Sequence, residues 1–194
     1  MMYEDQHLLP SLPADHSDHL LSNADLRRMK SPRSDFSRLQ RLPITLVLDR
    51  VRQNYNIGAL FRLCDAMRVK KLVICGTEVN LRKRKLVQAA RGTQKWVPWA
   101  SAPCAASVVS DKKQRGAQII VAELTSQGIV PEQLETGFPV CLVLGSERDG
   151  VCASIVAMAD TVVTIPMLGM ANSLNVASAA PIVHYRLTTL LQQG

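Results

Sequence analysis

Apolar residues in this chain fall into short unbroken runs separated by amphipathic or polar stretches. The runs are ITLVLD (44–49), LVICG (72–76), QIIVAEL (118–124), PVCLVLG (139–145) and TVVTIP (161–166). Continuous apolar runs of this length, bounded by Gly, Pro or charge, mark strands buried on both faces. Residues 96–99, between two tryptophans, form a shorter candidate strand. Between the runs the apolar spacing turns helical. Residues 56–67 repeat Ile57, Leu60, Phe61 and Cys64, and 81–90 repeat Leu81, Leu86, Val87 and Ala90. Further helices are expected over 105–115, 151–159 and 173–191. Pro181 falls inside the last of these, where it removes one hydrogen bond and should kink the helix. Strands alternating with helices predict an α/β fold, a mostly parallel sheet flanked by helices.

Ahead of Ile44 the texture differs. Residues 1–25 mix Pro, Asp, His and Ser with a few Leu, which predicts a mobile tail with a short helix over 18–29. RSDFSRLQRL (33–42) can form a short basic helix before Pro43. The expected division is an N-terminal extension, 1–42, and a folded domain, 43–194.

Composition narrows the class. The chain has 194 residues, of which 47% are hydrophobic, enough to bury a core and too many for a wholly disordered protein. No stretch approaches about 18 apolar residues, the length a transmembrane helix needs. The N-terminus lacks a basic start followed by an apolar run, so a cytoplasmic rather than secreted protein is expected. The five cysteines are odd in number, form no CxxC, and read as buried reduced thiols. His7, His16 and His19 sit in the acidic tail and His184 stands alone in the last helix, so no metal site is expected.

Charge is unevenly placed. Residues 1–26 carry five acidic groups and no Lys or Arg, whereas 27–95 carry 18 Lys and Arg against four acidic groups, a net of +14. Residues 96–194 return to a net of −2. Such a concentration suits a polyanion, because each phosphate neutralised releases counterions. Charge alone does not separate RNA from DNA or from an acidic protein.

In open α/β sheets, ligands bind beyond the carboxyl ends of strands. Three of those ends carry unusual residues. After the first run comes NIGALFR (56–62), with Asn56 and Gly58 at a helix entrance and Arg62 six residues after Asn56. Asn56 is either helical, about 120° off the face of Arg62, or the helix N-cap. LGSERDG (144–150) follows the fourth run, and IPMLGMANSLNVASAA (165–180) follows the fifth. Ordinary structural uses exist for several of these residues: Glu147 near a helix N-terminus, and Asn172, Ser173 or Asn175 at the start of the last helix. GxGxxG and GxxxxGK[ST] are both absent, which argues against a nucleotide-binding oxidoreductase and a P-loop enzyme.

Taken together and in this order, the three motifs resemble those of the SpoU/TrmH-type RNA ribose 2′-O-methyltransferases of the SPOUT superfamily, over about residues 43–191. The resemblance implies a sheet whose C-terminal segment forms a deep trefoil knot, S-adenosylmethionine as cofactor, and a homodimer through the C-terminal helix. It places cofactor contacts on Leu144, Gly145, Ile165, Met167, Ser173 and Leu174, and a catalytic group of Arg62, Asn56, Glu147, Ser173 and Asn175. The implied reaction is methylation of a ribose 2′-hydroxyl in tRNA or rRNA. Guanidinium almost never deprotonates, so Arg62 is expected to grip a phosphate and stabilise the developing alkoxide while the proton leaves to water or another group. A candidate RNA surface comprises Arg33, Arg38 and Arg41 before the fold, and Arg82, Lys83, Arg84, Lys85 and Arg91 within it. Trp96 and Trp99 suit either base stacking or packing. A reading from another class, a non-catalytic RNA-binding or assembly factor that keeps the fold, is set aside on the intact Arg62, Glu147, Ser173 and Asn175.

Overall fold

The computed structural model describes residues 40–193 together with Ser22, Ala24 and Asp25. The chain divides into two compact units, 1–40 and 41–194. In the first, Ser22 and Asp25 close a capping box around helical Ala24 and Asp25: the Asp25 N–H donates to Ser22 Oγ at 3.2 Å and the Ser22 N–H to the Asp25 carboxylate at 3.0 Å. The remainder of the helix expected over 18–29, the basic helix over 33–42 as far as Leu39, Arg33, Arg38 and the tail histidines lie outside the described residues.

The second unit is built on its apolar runs. Strands β1 (Leu42–Asp49), β2 (Val69–Cys75), β3 (Trp99–Ala102), β4 (Gln118–Ala122), β5 (Val140–Gly145) and β6 (Thr161–Val163) form one sheet in the order β3-β2-β1-β5-β4-β6. Every strand pairing in it is parallel. β1 and β5 sit centrally and are buried on both faces, which is why ITLVL and VCLVL lack polar alternation. Each fully buried Val, Leu or Ile there contributes about 1.5–3 kcal/mol by removal from water. Around the sheet run α1 (Asn54–Ala66), α2 (Arg84–Ala90), α3 (Ala105–Gln114), the short α4 (Ala153–Val156) and α5 (Val176–Gln193).

Local chemistry sets the helix contacts. Gly58 is a contact glycine between α1 and α2: a Cβ there would lie 2.4 Å from the Leu86 carbonyl oxygen. α2 begins three residues later than its apolar spacing suggested, because the Asn80 side chain accepts the Arg82 N–H at 2.9 Å and holds 80–82 in a turn. β3 is displaced to 99–102 from the expected 96–99. The Trp96 indole N–H is turned onto Asp65 at 2.6 Å, and Pro98 has no N–H to donate to a ladder. Trp99 packs edge-on against Phe61, ring centroids 5.9 Å apart, so both tryptophans serve packing. α5 runs through Pro181 without a break.

Three cysteines are buried as expected, and burial pushes the Cys75 and Cys141 thiols up to about 12. Cys104 and Cys152 are exposed, contrary to expectation, because each stands at the start of a helix on the sheet's outer layer. Hydrogen bonding to Ser107 and to Ser154 respectively pulls their thiols below the usual range. Among the described residues no helix is long and apolar enough to cross a membrane.

Candidate active site

Because the strands are parallel, their carboxyl ends share one edge, and the ends of β5, β4 and β6 lie side by side. Over them opens a cavity of about 380 Å³. Leu144 and Gly145 reach it from β5, Ile165 and Met167 from the segment after β6, and Ser173 and Leu174 from the approach to α5. All six residues assigned to the cofactor by resemblance thus line one cavity, which also takes in Glu147, Val163, Val176 and Ala179. Its lining is mixed: aliphatic side chains such as Leu144, Val163, Ile165 and Val176 stand beside polar and charged ones, Glu123 and the 146–149 turn among them.

The turn after β5 is closed tightly. Ser146 and Gly150 form an antiparallel bridge, with the Gly150 N–H donating to the Ser146 carbonyl at 3.0 Å. A Cβ on Gly145 would meet the Gly150 carbonyl carbon at 2.1 Å and the Val151 nitrogen at 2.3 Å, so only glycine permits the turn to fold back. Asp49, buried at the end of β1, anchors the far side of this turn. Its carboxylate accepts the Cys152 N–H at 2.9 Å and holds Arg50 through two hydrogen bonds of 3.1 Å. Arg50 Nη2 in turn reaches the Gly150 carbonyl at 3.4 Å.

The three sequence motifs meet at Asn56. It lies inside the first turn of α1, not at its N-cap, and is 1% exposed. Its Nδ2 donates to Glu147 Oε1 from the second motif, and its Oδ1 accepts from Asn175 Nδ2 of the third at 3.2 Å. Asn175 has a second task. Its Oδ1 accepts the Ala177 N–H at 2.9 Å and its carbonyl the N–H groups of Ser178 and Ala179, so Asn175, rather than Asn172 or Ser173, caps α5. Ser173 is left exposed at the cavity.

Arg62 is not drawn into this cluster. Six residues beyond Asn56, it is displaced about 9 Å along α1 and about 120° around it. Its side chain is exposed and makes no hydrogen bond or ion pair among the described residues. Arg82, Lys83, Arg84, Lys85 and Arg91 are likewise exposed, on and around α2. Arg41 is half-buried and donates to the Val69 carbonyl at 3.2 Å; burial pulls its pKa down.

Glu123, one residue beyond β4, also lines the cavity. Sequence reasoning took it for the interior of a strand over 118–124; the strand ends at Ala122. The available signal was the charge itself, a carboxylate directly after four apolar residues of a parallel strand. No group of three or more His, Cys, Asp or Glu suited to a metal ion occurs among the described residues.

Aliphatic side chains, backbone donors and acceptors at strand ends, and fixed amides and carboxylates around one cavity suit an elongated ligand with an apolar ring and a polar tail. Comparison with known proteins agrees with that geometry. The model of the SpoU rRNA Methylase family matches residues 43–185. The tRNA (guanosine(18)-2′-O)-methyltransferase of Escherichia coli K12 is 28% identical over 142 residues, 73% of this chain and 61% of that protein. This chain therefore spans about three fifths of the length of that relative. The crystal structure of the A. aeolicus TrmH/SpoU tRNA modifying enzyme shares the fold with a TM-score of 0.73 at 28% identity, covering 81% of this chain and 80% of that one. The SpoU methyltransferase AviRb of Streptomyces viridochromogenes, in complex with the cofactor AdoMet, gives 0.66 at 25% identity, covering 80% and 59%. With the match extending over nearly all of the second unit, the chain belongs to the SpoU rRNA methylase family.

Proposed function

We propose that this protein methylates a ribose 2′-hydroxyl in tRNA or rRNA, using S-adenosylmethionine, and acts as a homodimer. The observation that carries this reading is the convergence of Leu144, Gly145, Ile165, Met167, Ser173 and Leu174 on one cavity whose rim residue Glu147 is bonded to Asn56. The donor set fits the cofactor. Apolar side chains accept an adenine face, and backbone groups near Gly145 accept its polar edge. When bound, the sulfonium supplies an electrophilic methyl carbon.

The chain's own residues supply position and charge. Leu144, Ile165, Met167 and Leu174 exclude water from the slot, and the closed 145–150 turn fixes its mouth. Asn56 and Asn175 hold Glu147 and the start of α5 at a set distance, so the nucleophile meets a rigid frame. Arg62 is free to take an RNA phosphate in a two-pronged grip and to stabilise charge growing on the 2′-oxygen, while the proton passes to water or another acceptor. The exposed basic residues of α2 extend the phosphate surface.

The homodimer is supported by apolar side chains left in solvent between β6 and α5 and on α5 itself. Leu168 and Met170 are fully exposed, and Tyr185 on α5 is 64% exposed. The knotted C-terminal crossing implied by the motifs belongs to the same reading, supported by the way segments 144–151 and 163–176 share one cavity.

The test is tritium transfer from labelled S-adenosylmethionine into total tRNA and, separately, rRNA. Label in one pool, lost in Arg62→Ala and strongly reduced in Arg62→Lys, is the expected result. Near-normal turnover of Arg62→Lys overturns the two-pronged role. Absence of both label and cofactor binding moves the assignment to a non-catalytic RNA-binding factor.

A further inference from the structure

We infer that Glu123 is the group that recognises the ribose diol of the cofactor, an inference that rests on the cofactor reading of the cavity. The carboxylate is held from several sides. Its backbone is pinned where β4 meets β6: the Glu123 N–H donates to the Val163 carbonyl at 3.1 Å, and the Thr164 hydroxyl donates to the Glu123 carbonyl at 2.8 Å. The side chain then accepts one backbone N–H on each oxygen, Leu124 on Oε1 at 2.9 Å and Val151 on Oε2 at 2.7 Å. Gly150 lets the turn after β5 close on it, since a Cβ there would stand 2.4 Å from Oε2.

An ionised carboxylate offers about four acceptor positions. Two are spent on these N–H groups, one per oxygen, which leaves one position on each oxygen for the cavity that Glu123 lines. Only a donor satisfies them. Two hydroxyls on adjacent ring carbons present a matched pair of donors to the two oxygens. The ammonium of the cofactor's amino-acid tail needs several acceptors around one nitrogen, and the open rim, with Glu147 and Asp149, offers those. Leu144, Val163, Ile165 and Val176 give the cavity its aliphatic lining, and its other carboxylates, Glu147 and Asp149, stand on the 145–150 turn. A carboxylate–hydroxyl bond in such a setting is among the stronger neutral-to-charged hydrogen bonds, and its loss weakens binding about 10-fold or more.

Calorimetric titration tests this without turnover. S-adenosylhomocysteine and its 2′-deoxy analogue are titrated into the full-length protein and into Glu123→Gln and Glu123→Ala, each checked for folding by circular dichroism. The expected result is a preference of about 10-fold for the diol-bearing ligand in the natural protein, erased in whichever variant folds. Equal weakening of both ligands in the variants assigns Glu123 to holding the 150–151 turn and overturns the inference. Binding of both ligands with equal affinity by the natural protein overturns it as well, while leaving the cavity as the cofactor site. Binding of neither ligand overturns the cofactor reading itself.

Discussion

His184 makes the stability of this fold depend on pH in a calculable way. It lies on α5, is 1% exposed, and neither ring nitrogen has a hydrogen-bond partner among the described residues. Burial alone pulls its pKa from the ordinary 6.5 down to about 4. Between those values the unfolded chain binds a proton that the folded chain refuses. Stability is therefore fully present above about 6.5 and is lost as the pH falls through the window toward 4. Working the two titrations from pH 7 to pH 5 gives a loss of about 2 kcal/mol from this one residue, on the order of a quarter of a typical domain's stability. The assay is urea unfolding at pH 7 and pH 5, at one protein concentration, for the natural protein and His184→Met. Carboxylates shared by both proteins cancel in the comparison. The natural protein should lose about 2 kcal/mol more than the variant over that range. Parallel pH dependence in the two refutes the reasoning, because it means the folded chain protonates His184 as readily as the unfolded one.

Other consequences are as direct. Gly145→Ala drives a methyl group into the backbone at Gly150 and Val151, so it should destabilise the fold by about 1–3 kcal/mol. It should also weaken S-adenosylhomocysteine binding at least 10-fold by calorimetry, and unchanged binding shows that the 145–150 turn does not shape the cavity. Replacing Lys83 and Lys85 together with Gln should lower RNA affinity and reduce the slope of log affinity against log salt by about 0.7 to 0.9 per phosphate contact removed. Filter binding across a salt series measures it, and an unchanged slope takes α2 off the RNA surface.

The central part of the fold was legible because its strands are buried on both faces, and such strands write themselves as unbroken apolar runs. At the edge the signal weakens. β3 reads WASA, half-buried at three positions and exposed at Ser101, and its position depended on the contact between Trp96 and Asp65, made by residues 31 apart in sequence. The cavity residues were legible for a different reason: their motifs follow strand ends, where a fold of this class puts ligands, and it was the resemblance of those motifs to a known family that picked out the individual residues. Asn56 was read as ambiguous between cap and helix. Its role depends on Glu147, 91 residues away, and Asn175, 119 residues away, which no local spacing encodes. Glu123 was missed because a two-residue error in a strand end moves a side chain from the sheet to the ligand cavity.

The bonds joining Glu147, Asn56 and Asn175 have a direction. A carboxylate only accepts, so Asn56 must turn its amide nitrogen toward Glu147 and its oxygen away. That oxygen obliges Asn175 to present its own nitrogen, which leaves the Asn175 oxygen free for the first turn of α5. The negative charge of one side chain at the cavity thus fixes the polarity of two amides and the cap of the last helix in sequence, like a row of magnets aligned by the one at its end. The far end is fixed as well, since the Ala177 N–H can only donate and holds the Asn175 oxygen; Glu147→Gln would still leave the Asn56 nitrogen facing the new amide, which would have to present its own oxygen. The cavity rim and the N-terminus of α5 are thus coupled through three side chains whose polarity is set from both ends.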